Sequence, residues 1–270
     1  MNQANTVDKS QAPWTSWDAW LRSPAGQYVL NWEQTQFDHI VSDIFGYHAL
    51  QIGLPQLPSL RENRMPLQIL LRASHDKPSS GSESWHHCDG IAEELPFASQ
   101  SIDLVILPHV LEFATDPHAV LREVERVLVA EGRVIITGFN PASLWGLRQY
   151  CSHLIGQAPY LPREGQFIAP LRIKDWLKLL NFSIDRGRFG CYRLPLQGAS
   201  SMQKMAFLEK AGDRWWPVLG SVFMLSAVKR ITGLTLVGKI DSKISKPSPQ
   251  LSPATHLGSP QQKNSPEQKQ

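Results

Sequence analysis

The chain has 270 residues, of which 42% are apolar, and its 27 basic and 24 acidic residues leave a net charge of +3. This apolar content excludes a wholly disordered chain, and the length suffices for one domain with appendages. The longest nearly apolar stretch, residues 218–228, is too short to span a bilayer, so we expect no membrane association.

The N-terminus and the cysteines indicate a cytoplasmic protein. The first residues lack the basic and then apolar order of a secretion signal. Cys88, Cys151 and Cys191 are isolated in the sequence and fit free thiols in a reducing compartment. We therefore expect a cytoplasmic location.

Both ends of the chain are polar, and we predict a disordered lead over 1–13 and a disordered tail over 238–270. The tail is rich in Pro, Ser and Gln and lacks aromatic residues, so it has too little apolar surface to offset the entropy cost of ordering. Its five lysines and two acidic residues account for the whole net charge of +3. The body is therefore neutral, and we expect no nucleic-acid partner.

Residues 14–45 are rich in aromatics and are predicted to form an N-terminal helical cap. Trp17, Trp20 and Leu21 follow helical spacing, and residues 23–26 are predicted to separate this helix from a second one over 27–41. A stacking platform for bases or sugars is the alternative function for these tryptophans.

Residues 46–237 are predicted to form an α/β domain. Short apolar runs predict strands at 49–53, 67–71, 102–107, 134–136, 182–184 and 223–228. Asp116-Pro117 is a typical helix start, and the helix that it opens is predicted to end at Gly132. A strand, a helix and a strand in this order predict a parallel, right-handed crossover. Ligands of such open sheets bind beyond the carboxyl ends of the strands.

An ordered set of motifs lies between Glu94 and Ile136: Glu-Leu-Pro-Phe at 94–97, Ile-Asp-Leu-Val at 102–105, Asp116-Pro117, and Arg-Val-Leu at 126–128 before Glu131-Gly132. This set resembles class I S-adenosylmethionine-dependent methyltransferases of the small-molecule type. The segments 138–141 and 146–148 are also similar to a bacterial subgroup of functionally undefined methyltransferase-like proteins. The resemblance implies a Rossmann-like, mostly parallel sheet of seven strands with helices on both faces.

The resemblance also implies S-adenosylmethionine as cofactor, held by glycines after the first strand, an acid after the second and the turn before Leu-Pro-Phe. In this chain Gly53 alone remains of the glycines, and Leu54-Pro55 follow it. Arg72-Ala73-Ser74 end the second strand, and Ile91 stands where the family has an acid. Asp89 or Glu93 could substitute for that acid. The predicted cofactor-binding residues are Gly53, Asp89, Ile91, Leu95, Leu107 and Pro108.

Four polar residues near the strand ends are candidates for contacting the substrate that would accept the methyl group. His109 follows the fourth strand as a candidate general base, and the alternative is a histidine that caps the strand end by hydrogen bonds. Glu112, Asn140 and Arg148 are candidates for the substrate side, although Glu112 also fits a solvated or helix-starting acid and Asn140 a turn. No metal site is expected, because His86 to Asp89 could offer at most two ligands to one ion.

Two functions remain open. The first is methyl transfer from S-adenosylmethionine to an unidentified small-molecule acceptor. The second is a catalytically silent relative that kept the fold and serves as a binding or assembly module. The turn at 53–58 and the missing acid after the second strand distinguish the two.

Overall fold

A computed structural model describes residues 17–72, 85–155, 160–162, 165–194 and 207–230. The chain divides into two compact units, Met1–Gly233 and Leu234–Gln270, and all of the described residues lie in the first. The lead over 1–13, the tail over 238–270 and the polar loop over 74–84 lie outside the described residues.

Seven strands of the described part form one sheet, in the order β3-β2-β1-β4-β5-β7-β6. The strands are β1 His48–Ile52, β2 Leu67–Arg72, β3 His86–Asp89, β4 Ile102–Pro108, β5 Leu128–Phe139, β6 Phe182–Gly190 and β7 Val222–Lys229. The first five are parallel, and β7 pairs antiparallel with both β5 and β6. The predicted Rossmann-like, mostly parallel seven-stranded fold is confirmed.

Helices cover both faces of the sheet. They are α1 Trp17–Leu21, α2 Pro24–Val41, α3 Val110–Phe113, α4 Pro117–Val127, α5 Leu144–Ile155, α6 Pro170–Leu179 and α7 Phe207–Trp215, with a 3₁₀ turn at Pro217–Leu219. No helix within the described ranges is long and apolar enough to cross a membrane.

Successive side chains of the central strands point to opposite faces of the sheet, so the protein has one hydrophobic core on each face. Leu104 and Ile106 of β4 pack with Trp20 and Phe37 of the first two helices. Val105 and Leu107 point to the other face and pack in the cluster that includes α4 and α6. Because β4 is covered on both faces, its sequence is an almost continuous apolar run.

Two predicted helix boundaries were wrong. The second helix begins at Pro24 rather than Gln27, because the Ser23 hydroxyl caps it by accepting from Gly26 N–H at 3.1 Å and Pro24 suits the first turn. The helix α4 ends at Val127 rather than Gly132, because Leu128 already pairs with Ile102 as the start of β5. Gly132 lies instead at the irregular stretch where the β4–β5 register shifts.

Candidate functional site

A cavity of about 340 Å³ opens at the carboxyl ends of β1, β2 and β4 and beside the loop that follows β3. Its lining includes Gly53, Arg72, Ile91, Glu93, Pro108 and His109. This is the edge at which open α/β sheets bind ligands, and the volume lies within the usual range for small-molecule sites. Of the predicted cofactor-binding residues, Gly53, Ile91 and Pro108 line this cavity.

The turn after β1 depends on the backbone conformation of Gly53. Its φ is +68°, and its N–H donates to the Leu71 carbonyl at 2.8 Å. A Cβ here would meet Val110 at 3.5 Å, an ordinary contact, so the left-handed φ and not lack of space favours glycine. Leu54 also has a positive φ, and both it and Leu57 are buried. The chain therefore continues as turns rather than as a helix.

The side chain of Gln51, buried in β1, holds this turn in place. Its amide nitrogen donates to the carbonyls of Gly53, Leu54 and Leu57 at 3.1, 3.0 and 2.9 Å. Its oxygen accepts from Ser59 N–H at 3.2 Å and from the Ser59 hydroxyl. A carboxylate at this position would repel three carbonyl oxygens. The amide of Gln51 is therefore matched to this turn.

Arg72 ends β2 and lies on the cavity wall. Its guanidinium pairs with Asp89, the residue opposite it on β3, at 3.2 Å, and the Asp89 side chain is 57% exposed. Arg72 Nε is buried and has no hydrogen-bond partner among the described residues. Arg72 thus stands at the end of β2, where the family resemblance places an acid.

His109 follows β4 and joins three elements of the fold. It is 1% exposed and has a positive φ of 57°, a strained conformation for a residue other than glycine. Its Nδ1 lies 2.8 Å from Glu112 Oε2 on α3, and its Nε2 lies 3.1 Å from Glu33 Oε1 on α2. Glu112 Oε1 also accepts from Phe139 N–H. We call Glu33, His109 and Glu112 the buried triad.

The buried triad keeps His109 protonated. Burial lowers the pKa of His109, but the carboxylates of Glu33 and Glu112 outweigh this effect and raise the pKa to about 10. Burial raises the pKa of Glu112, against the opposing effect of its bonds to His109 and to Phe139 N–H. The two imidazole nitrogens point in opposite directions, and no group of side chains in the described ranges could hold a metal ion.

Aromatic rings surround His109 on the cavity side. The Trp17 ring lies 5.2 Å from the imidazole and 4.9 Å from Phe113, and all three residues line the cavity. Trp17 stacks on the fully buried Trp20 at 5.4 Å with planes 6° apart. The helical cap therefore contributes a ring to the cavity wall in addition to covering the core.

A second cavity, of about 640 Å³, lies beside the first turns of α5. Its lining includes Pro141, Leu144, Leu147, Tyr150, Phe167 and Leu219, and none of its described lining residues is charged. Phe113, on the wall of the first cavity, lies close to Gly165 of the second, because a Cβ on Gly165 would approach its ring to 3.2 Å. The two cavities are thus neighbours.

The other predicted site residues lie outside both linings. Leu95 and Leu107 are buried in the core. The Asn140 side chain donates to the carbonyls of Val218 and Gly220 at 2.8 and 3.0 Å. The Arg148 guanidinium lies over the Tyr160 ring, 4.7 Å from its centre. Glu112 is 3% exposed, so the alternative of a solvated acid was wrong.

Trp17 and Glu33 belong to this region and were not predicted as site residues. Glu33 has no exposed area, although its position in a polar stretch of α2 suggests a solvated face. The one signal in the sequence was that Glu33 follows Trp32 and precedes Phe37 on a helix rich in aromatics. Burial of a carboxylate by a partner distant in sequence could not be inferred from that pattern.

Comparisons with known proteins agree with this geometry. A family described as "Methyltransferase domain" matches residues 69–136, which contain most of β2, all of β3, β4 and α4, and most of β5. The uncharacterized protein YafS of Escherichia coli K12 is 31% identical over 223 residues, covering 81% of this chain and 83% of that protein.

Solved structures share the fold. A possible histamine N-methyltransferase of Thermotoga maritima, described as S-adenosylmethionine-dependent, superposes with a TM-score of 0.55 at 13% identity, over 79% of this chain and 94% of that one. The [4+2]-cyclase SpnF superposes with a TM-score of 0.53 at 16% identity, over 76% and 82%. At such identities the likeness concerns the fold alone.

Replacing Gln51 by Met tests whether this side chain holds the turn after β1. Gln51→Met keeps the volume but removes every hydrogen bond of the amide, and we expect a loss of about 2 to 4 kcal/mol in unfolding free energy. Chemical denaturation of both proteins measures the difference. Gln166→Met, at an exposed position, is the control and should cost much less. Equal losses in the two variants would contradict the role of Gln51.

Proposed function

Because the chain belongs to the class I S-adenosylmethionine-dependent methyltransferases, we propose that it transfers a methyl group to a small, uncharged molecule bound in the 640 Å³ cavity. Its cofactor is S-adenosylmethionine. The observation that carries the proposal is the pair of neighbouring cavities, one at the family's cofactor edge of the sheet and one apolar. Two ligands must meet in a group transfer, and adjacent cavities suit that requirement.

The residues of the first cavity fit the cofactor. Gly53, at positive φ, allows close approach of a ligand to the backbone after β1. The Arg72 guanidinium on the cavity wall can donate to a ribose hydroxyl, which accepts as well as donates, so a donor here can replace the family's acid. We propose that Gly53, Arg72, Ile91 and Pro108 hold S-adenosylmethionine, with Asp89 orienting Arg72.

The cofactor supplies a methyl group activated by its positive sulfur. The chain's own residues have to bring an acceptor atom into line with it and to exclude water. Phe113 separates the two cavities, so we expect its ring to turn aside when both ligands are bound. His109, as an imidazolium, has no lone pair for a proton, and we propose that it positions groups rather than acting as a general base.

The turn after β1 favours a second candidate, a catalytically silent binding module. Leu54 and Leu57 fill the region after Gly53 with buried side chains, where the family has further glycines. The structural neighbour SpnF, which is named as a [4+2]-cyclase, also illustrates that a shared fold does not determine the reaction. Cofactor binding without turnover, or no binding, would favour this candidate.

Cofactor binding can be tested by a thermal shift titration. At a concentration of one hundred times Kd, S-adenosylmethionine should add about 2.7 kcal/mol to the unfolding free energy. For a domain of this size, that raises the melting temperature by about 5 to 10 °C. Ile91→Arg places bulk and positive charge at a cavity residue that is 55% exposed, so we expect at least about tenfold weaker binding from a folded protein.

Leu179→Arg is the matched control, because Leu179 is 81% exposed on α6 and is absent from both cavity linings. The affinity of Leu179→Arg for S-adenosylmethionine should equal that of the wild type. No shift at millimolar cofactor, or equal affinity in the two arginine variants, would contradict the cofactor site.

The acceptor class can be tested with methyl-labelled S-adenosylmethionine in a cell extract separated into small molecules, protein and nucleic acid. We expect label in the small-molecule fraction that partitions into organic solvent. Leu147→Arg, which puts a charge into the apolar cavity at a half-exposed position, should lower labelling about tenfold or more and leave cofactor affinity unchanged. Label confined to protein or nucleic acid would overturn the small-molecule acceptor.

A further inference from the structure

A further cavity, of about 540 Å³, lies at the carboxyl end of β6, and we call it the β6 cavity. It shares no described lining residue with the two cavities of the proposed function. Its volume lies within the usual range for small-molecule sites. Three aromatic residues and three charged residues stand out in its lining: Trp32, Phe189, Tyr192, Arg188, Glu209 and Asp213.

Two of the aromatic rings are held in place by close packing on glycines. A Cβ on Gly190 would come within 2.1 Å of the Trp32 ring, and a Cβ on Gly212 would come within 2.3 Å of the Tyr192 ring. The Tyr192 hydroxyl also donates to the Pro217 carbonyl at 2.8 Å. The rings of Trp32 and Tyr192 are therefore preorganised walls of the β6 cavity.

The two carboxylates of the β6 cavity lie one turn apart on α7. Neither Glu209 nor Asp213 has an ion-pair partner among the described residues. Glu209 accepts from the Tyr28 hydroxyl and from Cys191 N–H at 3.1 Å, and these neutral donors hold it without cancelling its charge. Arg193 lies over the Tyr28 ring and outside the described lining.

The described lining of the β6 cavity has an excess of negative charge. Arg188 is its one cation, and the Arg188 guanidinium donates to Gln36 Oε1 at 2.9 Å. Asp213 is exposed, and solvent stabilises an ionised carboxyl group. Burial raises the pKa of Tyr192 to about 12, and the carboxylates of Asp213 and Glu209 contribute to the rise. An acidic field thus acts on the aromatic wall.

Aromatic rings together with negative charge suit an organic cation. The face of a tryptophan or tyrosine ring attracts cations, and carboxylates add Coulomb attraction. A quaternary ammonium group has no N–H to donate, so it requires no vacant acceptor. Both oxygens of Glu209 already accept hydrogen bonds, which fits such a ligand better than one that must be bound by hydrogen bonds.

We propose that the β6 cavity binds a small molecule that carries a quaternary ammonium group. The rings of Trp32 and Tyr192 contact its methyl groups, and Glu209 and Asp213 supply the opposite charge. This ligand differs from the proposed methyl acceptor, which is uncharged and binds in the 640 Å³ cavity. The proposal goes beyond the proposed function and does not depend on it.

Isothermal titration calorimetry of the whole chain with choline tests the proposal. The reference ligand is the uncharged tert-butyl analogue of choline, in which carbon replaces the nitrogen and the shape is kept. We expect choline to bind at least about tenfold more tightly than this analogue. S-adenosylmethionine is left out of the titration, so the result is independent of the cofactor site.

Asp213→Asn removes one charge at an exposed position and keeps the shape. It should weaken choline binding about fivefold and leave binding of the uncharged analogue unchanged. Asp175→Asn, at an exposed position of α6 outside the three cavity linings, is the matched control and should bind choline as the wild type does. Ile91→Arg, in the first cavity, should also leave choline affinity unchanged.

The aromatic wall is tested by two substitutions of Trp32. Trp32→Leu removes the ring and should weaken choline binding at least about fivefold. Trp32→Phe keeps an aromatic face and should retain more of the affinity than Trp32→Leu. Equal affinities of these two folded variants would contradict a contact between the ring and the cation.

The outcomes separate charge recognition from nonspecific binding. Equal affinities of the wild type for choline and its uncharged analogue, or equal choline affinities of Asp213→Asn and Asp175→Asn, would overturn the proposal. Phosphatidylcholine vesicles present the same group on a bilayer, and binding of vesicles without binding of free choline would overturn a small-molecule ligand. A preference for choline that falls in Asp213→Asn and in Trp32→Leu would support the proposal.

Discussion

The ion pairs of His109 fix the geometry on which the candidate site depends. One imidazole joins α2 to the carboxyl end of β4 and to α3, and Glu112 extends the connection to Phe139, the last residue of β5. These contacts tie α2, which already packs on β4 through the core, to the strand end. They also hold His109 in a left-handed conformation that a freely solvated loop would avoid. Breaking a buried charge pair on one side is costly, so this arrangement is strongly constrained.

Around this centre the cavity uses residues that differ from the family pattern but satisfy one another. Gln51 donates to three carbonyls of the turn after β1, where further glycines would otherwise shape the backbone. Arg72 and Asp89 form a pair across β2 and β3, and Arg72 keeps one buried donor without a partner. The departures therefore form a consistent local structure.

Much of the fold could be predicted from the sequence, because its signals are local. The apolar run of β4 and the Asp116-Pro117 helix start act within a few residues, and the structure has both. The strand β3 was not predicted, since His86 to Asp89 form an exposed edge without an apolar run.

The site was harder to predict, because its main contacts join residues distant in sequence. Gly53, Ile91 and Pro108 were found through the family resemblance, and they line the cavity. Glu33 and Trp17 reach His109 only after the first helices have packed on the sheet. A single sequence shows neither that packing nor the burial of Glu112.

A crystal structure of the protein with S-adenosylmethionine would test the central claim most directly. The account predicts the cofactor in the cavity lined by Gly53, Ile91 and Pro108, with a ribose hydroxyl near the Arg72 guanidinium. A cofactor bound elsewhere on the chain, or a cavity still without cofactor at saturating concentration, would contradict it.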